Sequence, residues 1–453
     1  MGNTLGKKMF GVEPRTTLMS AFLVANPLIW YYAVIIFLER TINDLPFTNT
    51  DLTIFWGLHF FGIVVTAIVG ATLYKKIEQK KLLTIWMLTG SLASLSLIAS
   101  GTTSTTILCI IALTLGASLG FGMPMCMSCF THIIPIESRG RVSGIVMFIT
   151  GLGLFAFSIT PISNLLLLGV TLGLWRLSSI FVLRRLNPPE KKDTEVTTYK
   201  SIITQQSFVL YFAPWVMFCL VNYLGSQVQV DIVGEATVAI MAIIQNAMLG
   251  IFAVVGGFLL DKIGRKRMAI AGFVMLGIDT ASLGLIPATS VWINYTSAVI
   301  DGIAWGFLLV IFIVTIWGDL SNNVGTSKFY AMGVAPFFIS KFLEFTIGEN
   351  LSRNIVDGAG KSGLFSFLAF FLFLAVLPLV YAPETLPERV MKSRDLKSYA
   401  EKAMKKLQKE NEKNQKKDFA TKPESSIENE PDSESEENSD EYEQARKLAE
   451  KYY

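Results

Sequence analysis

The chain has 453 residues, of which 51% are apolar and only 17% are charged, where a soluble protein carries about 25% charged residues. Its mean hydropathy is +0.48. Residues 383–453 hold 15 Lys/Arg and 18 Asp/Glu, out of 39 and 36 in the whole chain. The first 382 residues therefore read as a bilayer protein and the rest as a polar tail. A net charge of +3, split between a basic membrane part and an acidic tail, gives no footprint for nucleic acid. Four Cys in apolar stretches read as small packing residues rather than a disulfide framework.

Apolar stretches long enough to cross about 30 Å of hydrocarbon recur near 17–38, 52–73, 82–100, 104–127, 142–160, 162–183, 208–226, 236–260, 268–286, 291–317, 329–347 and 363–382. These are twelve predicted transmembrane helices. Lys and Arg fall in the even-numbered connections and the N-terminus nineteen times, and on the other side three times, as Arg40, Arg353 and Lys361. By the positive-inside rule both termini are expected in the cytoplasm, with the chain multi-pass in the cell membrane. The longest internal connection divides it into an N-terminal six-helix bundle (1–183), a central loop (184–207) and a second six-helix bundle (208–382). The halves echo each other: Gly116 and Gly120 match Gly302 and Gly306 at an offset of 186, and Pro27 and Pro214 differ by 187. Such internal repeats are a transporter plan, with solute held between the halves near the midplane.

Between spans eight and nine the chain reads Gly257-Phe258-Leu259-Leu260-Asp261-Lys262-Ile263-Gly264-Arg265-Lys266-Arg267, and Pro135-Ile136-Glu137-Ser138-Arg139-Gly140 enters span five. With these motifs the sequence resembles the major facilitator superfamily of secondary transporters over residues 15–390. Pro383-Glu384-Thr385 is similar to the exit signature of its sugar porters. The first-half loop departs from the pattern, with Lys75 where the acid belongs and Glu78 where the glycine belongs. Neither the Arg of span four nor the Gly-Pro pair of span five that mark proton-driven drug antiporters is present. The resemblance implies an all-α membrane fold of two pseudo-symmetric six-helix bundles and, through family packing, sets the end of span eight beside the start of span five. There Asp261 is expected to cap span five and to latch the cytoplasmic side, with Arg139 or Arg141 as charge partner and Arg265 in the same loop. A plain helix end with a topology-fixing basic run also fits.

A charge at mid-depth costs roughly 2.5–3.5 kcal/mol on insertion scales and so marks a candidate functional group. At 1.5 Å per residue, Asp301 lies about 15 Å, Lys341 about 9 Å and His59 about 10 Å from the outer ends of their spans, with Glu344 one turn beyond Lys341. The resemblance borders the central cavity with spans ten and eleven, so these four are expected to converge on its outer half. Asp301 is the expected coupling-ion or substrate contact, and Lys341 its partner or an anion anchor. An i,i+3 pair of Lys341 with Glu344, a carboxylate of Asp301 satisfied by Asn222, and a packed His59 are the bland alternatives. Asn26, Trp30, Tyr31, Asn222 and Trp305 are uncharged pathway candidates, although such residues also glue helices together. Arg176 and Asp279 fall on peripheral spans and read as structural, with Arg176 snorkelling toward the cytoplasm.

Gly116-Ala117-Ser118-Leu119-Gly120 and Gly358-Ala359-Gly360-Lys361-Ser362 imitate a nucleophile elbow and a phosphate loop, but the first lies in an apolar helix and the second lacks the leading glycine. Cys126, Cys129 and His132 have no fourth ligand. No enzyme activity, metal or cofactor is expected. In the tail, residues 383–422 are expected to form a basic amphipathic helix that lies on anionic lipid or packs on the loops, and 423–453 to be acidic and disordered. The function expected is alternating-access transport of a small organic solute by a monomer, as H+-driven symport or facilitated uniport. The alternative is a transporter-like sensor that signals through its tail.

Overall fold

The computed structural model describes residues 12–43, 45–73, 77–101, 104–159, 164–186, 197–285, 291–387 and Met404, without the side chains of Asn222, residues 225–233 and several other positions. Contacts divide the chain into Met1–Leu386 and Pro387–Tyr453. The tail helix and the acidic segment lie outside the described residues.

Twelve long helices account for the first unit: α1 Pro14–Asn43, α2 Asn49–Leu73, α3 Gln79–Leu95, α4 Thr105–Ile133, α5 Arg139–Ile159, α6 Leu165–Leu186, α7 Gln206–Val233, α8 Glu235–Ile263, α9 Arg265–Leu285, α10 Val291–Leu309, α11 Thr326–Leu343 and α12 Glu349–Leu374. A 3-10 turn, Ser96–Gly101, extends α3, and a helix Val376–Tyr381 follows α12. Among the described residues eleven are long and apolar enough to cross a membrane, while the described apolar part of α7, Gln206–Val221, is shorter. Between the halves lies a one-turn helix, Tyr199–Ile203, capped by the Thr198 hydroxyl.

Glycines set the closest helix contacts, because apolar lipid gives helices little hydrophobic reason to associate and close backbone approach must supply the attraction. A Cβ at Gly116 would sit 2.2 Å from the His59 carbonyl oxygen, and one at Gly120 2.0 Å from that of Ile63, so α4 lies directly on α2. In the second half a Cβ at Gly302 would sit 2.5 Å from the Gln245 oxygen, and one at Gly306 3.0 Å from that of Leu249. His59 and Gln245, like Ile63 and Leu249, are 186 residues apart. The offset that pairs the glycines also pairs the surfaces they touch. The halves meet where α5 crosses α8: a Cβ at Gly257 would lie 2.5 Å from the Gly140 oxygen, and one at Gly144 2.5 Å from that of Ala253.

Two π-helical segments interrupt the second half. Val310–Thr315 leads from α10 into Ile316–Leu320, and Glu344–Gly348 closes α11. The Trp317 indole donates 2.6 Å back to the Phe312 carbonyl, and the Thr315 hydroxyl 2.7 Å to that of Val310. A widened turn leaves carbonyls that need such donors. Gly333 makes room for the same indole, since its Cβ would lie 2.2 Å from the ring.

Candidate functional site

The loop between α8 and α9 assembles a closed polar cluster at the basic end. The first two backbone N–H groups after the start of α5, those of Gly140 and Arg141, donate to the Asp261 carboxylate at 2.9 Å each, and Arg141 Nε donates to it at 2.9 Å. Arg265 adds an ion pair at 3.1 Å. These are the unpaired donors and the positive end that any helix start presents. Gly140 is required here, because a Cβ would lie 2.6 Å from Asp261 Oδ1. Gly264 is required by its φ of +110° and by Glu384, whose Oε2 would be 2.3 Å from a Cβ. Glu384 in turn caps α9, accepting from the N–H groups of Arg265 at 2.8 Å and Lys266 at 3.2 Å.

Of the two expected charge partners of Asp261, Arg141 takes the place; Arg139 instead pairs with the buried Asp319 and donates to the Thr131 carbonyl at 3.0 Å. Asp319 also takes Arg265 Nε at 2.9 Å and the Thr385 hydroxyl at 3.3 Å. Arg265 reaches across to the Ile136 carbonyl at 2.6 Å. Three carboxylates (Asp261, Asp319, Glu384) thus balance three guanidinium groups (Arg139, Arg141, Arg265), and Arg139 and Arg141 belong to the other half. Sequence reasoning missed Asp319, just past the predicted end of span ten. Its one signal was an acid at the end of an apolar run facing a loop of arginines. Glu384 was noticed only as part of a three-residue signature.

Toward the opposite end the halves touch through aromatic rings. Trp56 of α2 stacks on Phe345 with centroids 4.3 Å apart, and Phe61 lies 5.1 Å from Phe342. At mid-depth a cavity of about 20 Å³ lies between the halves, lined by Tyr31, Tyr32, Met147, Ile313, Phe337 and Phe338 among others.

The charged residues expected to converge on the outer cavity do not meet. Lys341 pairs with Glu344 at 2.6 Å on its own helix, so the expected partnership with Asp301 is replaced by the i,i+3 pair. Asp301 is half-buried and accepts from Gln245 Nε2 of α8, while Trp305, one turn along α10, sets its ring edge-on to Phe218, 4.9 Å between centroids. His59 is buried and bonds the Ala112 carbonyl at 2.9 Å through Nδ1, facing α4. Asn26 and Trp30 also turn from the cavity: Asn26 donates to the Trp175 carbonyl at 2.7 Å and Trp30 to the Ser94 hydroxyl at 2.8 Å. Tyr31 lines the cavity, with its ring 5.5 Å from that of Phe338. The Asn222 side chain lies outside the described residues. Arg176 does not snorkel; it is fully buried, 4.2 Å from the Trp86 ring centroid, in a slot left by Gly90.

No family model matches the sequence, and no curated protein sequence matches it significantly. Solved structures do. The human organic anion transporter MFSD10 (TETRAN) aligns at a TM-score of 0.60 and 11% identity, covering 81% of this chain and 100% of its own. The major facilitator superfamily proton:xylose symporter XylE, bound to 6-bromo-6-deoxy-D-glucose, aligns at 0.62 and 14%, covering 82% and 96%. The transporter FucP of the same superfamily, in the outward conformation, aligns at 0.64 and 13%, covering 81% and 98%. At such identities the likeness shows the fold: the chain has the major facilitator superfamily fold.

Proposed function

We propose that this all-α membrane protein transports a small organic solute by alternating access, its two halves rocking about the midplane. The observation that carries this reading is the unequal closure of the two ends. At the basic end, taken as cytoplasmic, opening must separate Arg139 from Asp319 and Arg141 from Asp261 and release the Gly140 and Arg141 N–H groups from Asp261, each a hydrogen bond to a charged group worth about 1.5–3 kcal/mol. At the other end opening must unstack aromatic pairs worth about 0.5–1.5 kcal/mol each. The cluster of Asp261, Arg265, Arg139 and Arg141 therefore acts as the gate, and the outward-open state is the easier one to reach from this structure. Asp301, beside Trp305 and Gln245, is the proposed ion or solute contact, and Tyr31 a wall of the pathway. The Lys341–Glu344 pair offers a separable charge on the outer half of α11.

A thermal-shift screen of solutes on the purified chain, followed by flux and counterflow in proteoliposomes with the stabilising solute, tests the reading. Uptake that collapses with the proton gradient marks symport, and uptake indifferent to it marks uniport. Saturable binding with no flux in either direction sinks transport and leaves a sensor. Asp301→Asn is expected to abolish accumulation and spare counterflow; accumulation at the unmodified level removes Asp301 from coupling.

A further inference from the structure

Behind Asp301, within the second bundle, lies a second carboxylate. Asp279 of α9 is 4% exposed. Its Oδ2 accepts from the Ser297 hydroxyl of α10 at 2.9 Å, while its Oδ1 is buried with no hydrogen-bond partner. Ser297 and Asp301 are one turn apart on α10, so the bond to Ser297 holds Asp279 beside the turn that carries Asp301. With the buried Asn294, one turn further toward the end opposite the basic cluster, they form a polar lane about 10 Å long at 1.5 Å per residue. Gln245 closes the lane from α8.

Two carboxylates in an apolar bundle need compensation. Groups on the neighbouring elements do not supply it: among the described residues no ion pair reaches Asp279 or Asp301. Asp261, Arg265 and Asp319 at the basic end pair among themselves. Lys361 of α12 lies over the Phe365 ring, 5.8 Å from its centroid. Tyr295 of α10, Tyr223 and Cys219 of α7 and Asp357 of α12 add no positive charge. An isolated buried anion takes up a proton or a cation rather than remain charged, and like-charged carboxylates at one site resist joint ionisation. Among the described residues no group of three or more His, Cys, Asp or Glu gathers here that could hold a metal ion.

We infer that Asp279 and Asp301 share one proton, forming a proton-binding site inside the second bundle that communicates with the end opposite the basic cluster along Asn294 and Ser297. The proton sits on one carboxyl oxygen, and its departure leaves the second negative charge. Its use in coupling rests on the transport reading; its existence does not. Asp279 thereby moves from a structural residue to a proton carrier.

Infrared difference spectroscopy of the full chain in lipid nanodiscs, titrated in choline buffer, reads the pair directly. The wild-type chain is expected to show the C=O stretch of a protonated carboxyl that vanishes in a single step with release of one proton per chain. Removing either carboxylate relieves the repulsion, so Asp279→Asn and Asp301→Asn should each move that step to lower pH by at least tenfold in proton concentration. Ser297→Ala, which deletes only the donor that stabilises the ionised form, should move it to higher pH and guards against misfolding of the Asp variants. A step unmoved in Asp279→Asn and in Ser297→Ala overturns the shared proton. A tenfold downward shift on replacing choline with sodium overturns it in favour of a sodium site. Because no flux is measured, a chain that transports nothing can still pass, and a transporter can still fail.

Discussion

Asp319 accepts from one arginine of each half, and neither oxygen has another charged partner to turn to. Asp319→Asn leaves Arg139 and Arg265 short of one buried negative charge. The expected loss is about 3–5 kcal/mol, read as a lowered melting temperature of the purified chain. A second substitution, Arg139→Gln, should lose much less in the Asp319→Asn background than alone, because the charge it would orphan is already gone; additive losses would show that the two do not act as a pair. Asp261 differs in kind, since two of its bonds come from backbone donors at the start of α5. Asp261→Asn keeps the shape and removes the charge, and should raise the labelling of a cysteine placed at Ile136 on the basic side. Unchanged labelling removes Asp261 as a latch. These residues were partly legible. The motif announced Asp261, Gly264 and Arg265: the turn through positive φ at Gly264 is a local demand, while the reach of Asp261 to the start of α5 was legible only through the family resemblance. Arg139 was legible only as a basic group nearby, since the choice between Asp261 and Asp319 depends on where α10 ends.

At the scale of the element, glycine spacing is the informative feature. Gly116, Gly120, Gly302 and Gly306 each leave room for the carbonyl of a helix 57 residues earlier, as His59 precedes Gly116 and Gln245 precedes Gly302 by 57. Gly302→Ala forces α10 away from α8 or shifts the Gln245 backbone, an overpacking that typically costs 1–3 kcal/mol. The same change at Gly151, where nothing lies within 4 Å of a new Cβ, should be nearly neutral. Equal melting temperatures for the two variants would contradict the packing. The polar residues of the spans show the limit of element-level reading. Asn26, Trp30 and His59 look like pathway groups because they are polar and deep, yet each bonds a neighbour in its own bundle. A helix has a buried side facing its bundle and a side facing the other half, and composition does not distinguish them.

For the whole molecule, the central connection adds a tie that spans both halves. The Tyr199 hydroxyl donates 2.9 Å to the Ile68 carbonyl of α2, and its ring lies under Lys328 of α11, 5.1 Å from the ammonium, which itself donates 2.8 Å to the Thr197 carbonyl. Burial pushes the Tyr199 hydroxyl up to about 12. Its raised value means that the tie is fully present below the ordinary tyrosine range and is lost only as pH climbs toward about 12, so it is constant through neutral pH. Tyr199→Phe should remove about 0.5–1.5 kcal/mol of preference for the closed basic end, seen as a broader spin-label distance distribution between α2 and α11. A distribution identical to wild type at neutral pH removes the tie.

The sequence by itself determined the all-α membrane fold and the repeated glycine spacing, because hydrophobic length and glycine spacing act locally along the chain. Only the tertiary structure decided which charges are partners. Lys341 took Glu344 rather than Asp301, Arg139 took Asp319 rather than Asp261, and Asp279 came to lie behind Asp301. A buried charge is satisfied by whichever opposite group the packing brings within about 3–4 Å, and helix rotation and termination set that distance far more than separation along the chain.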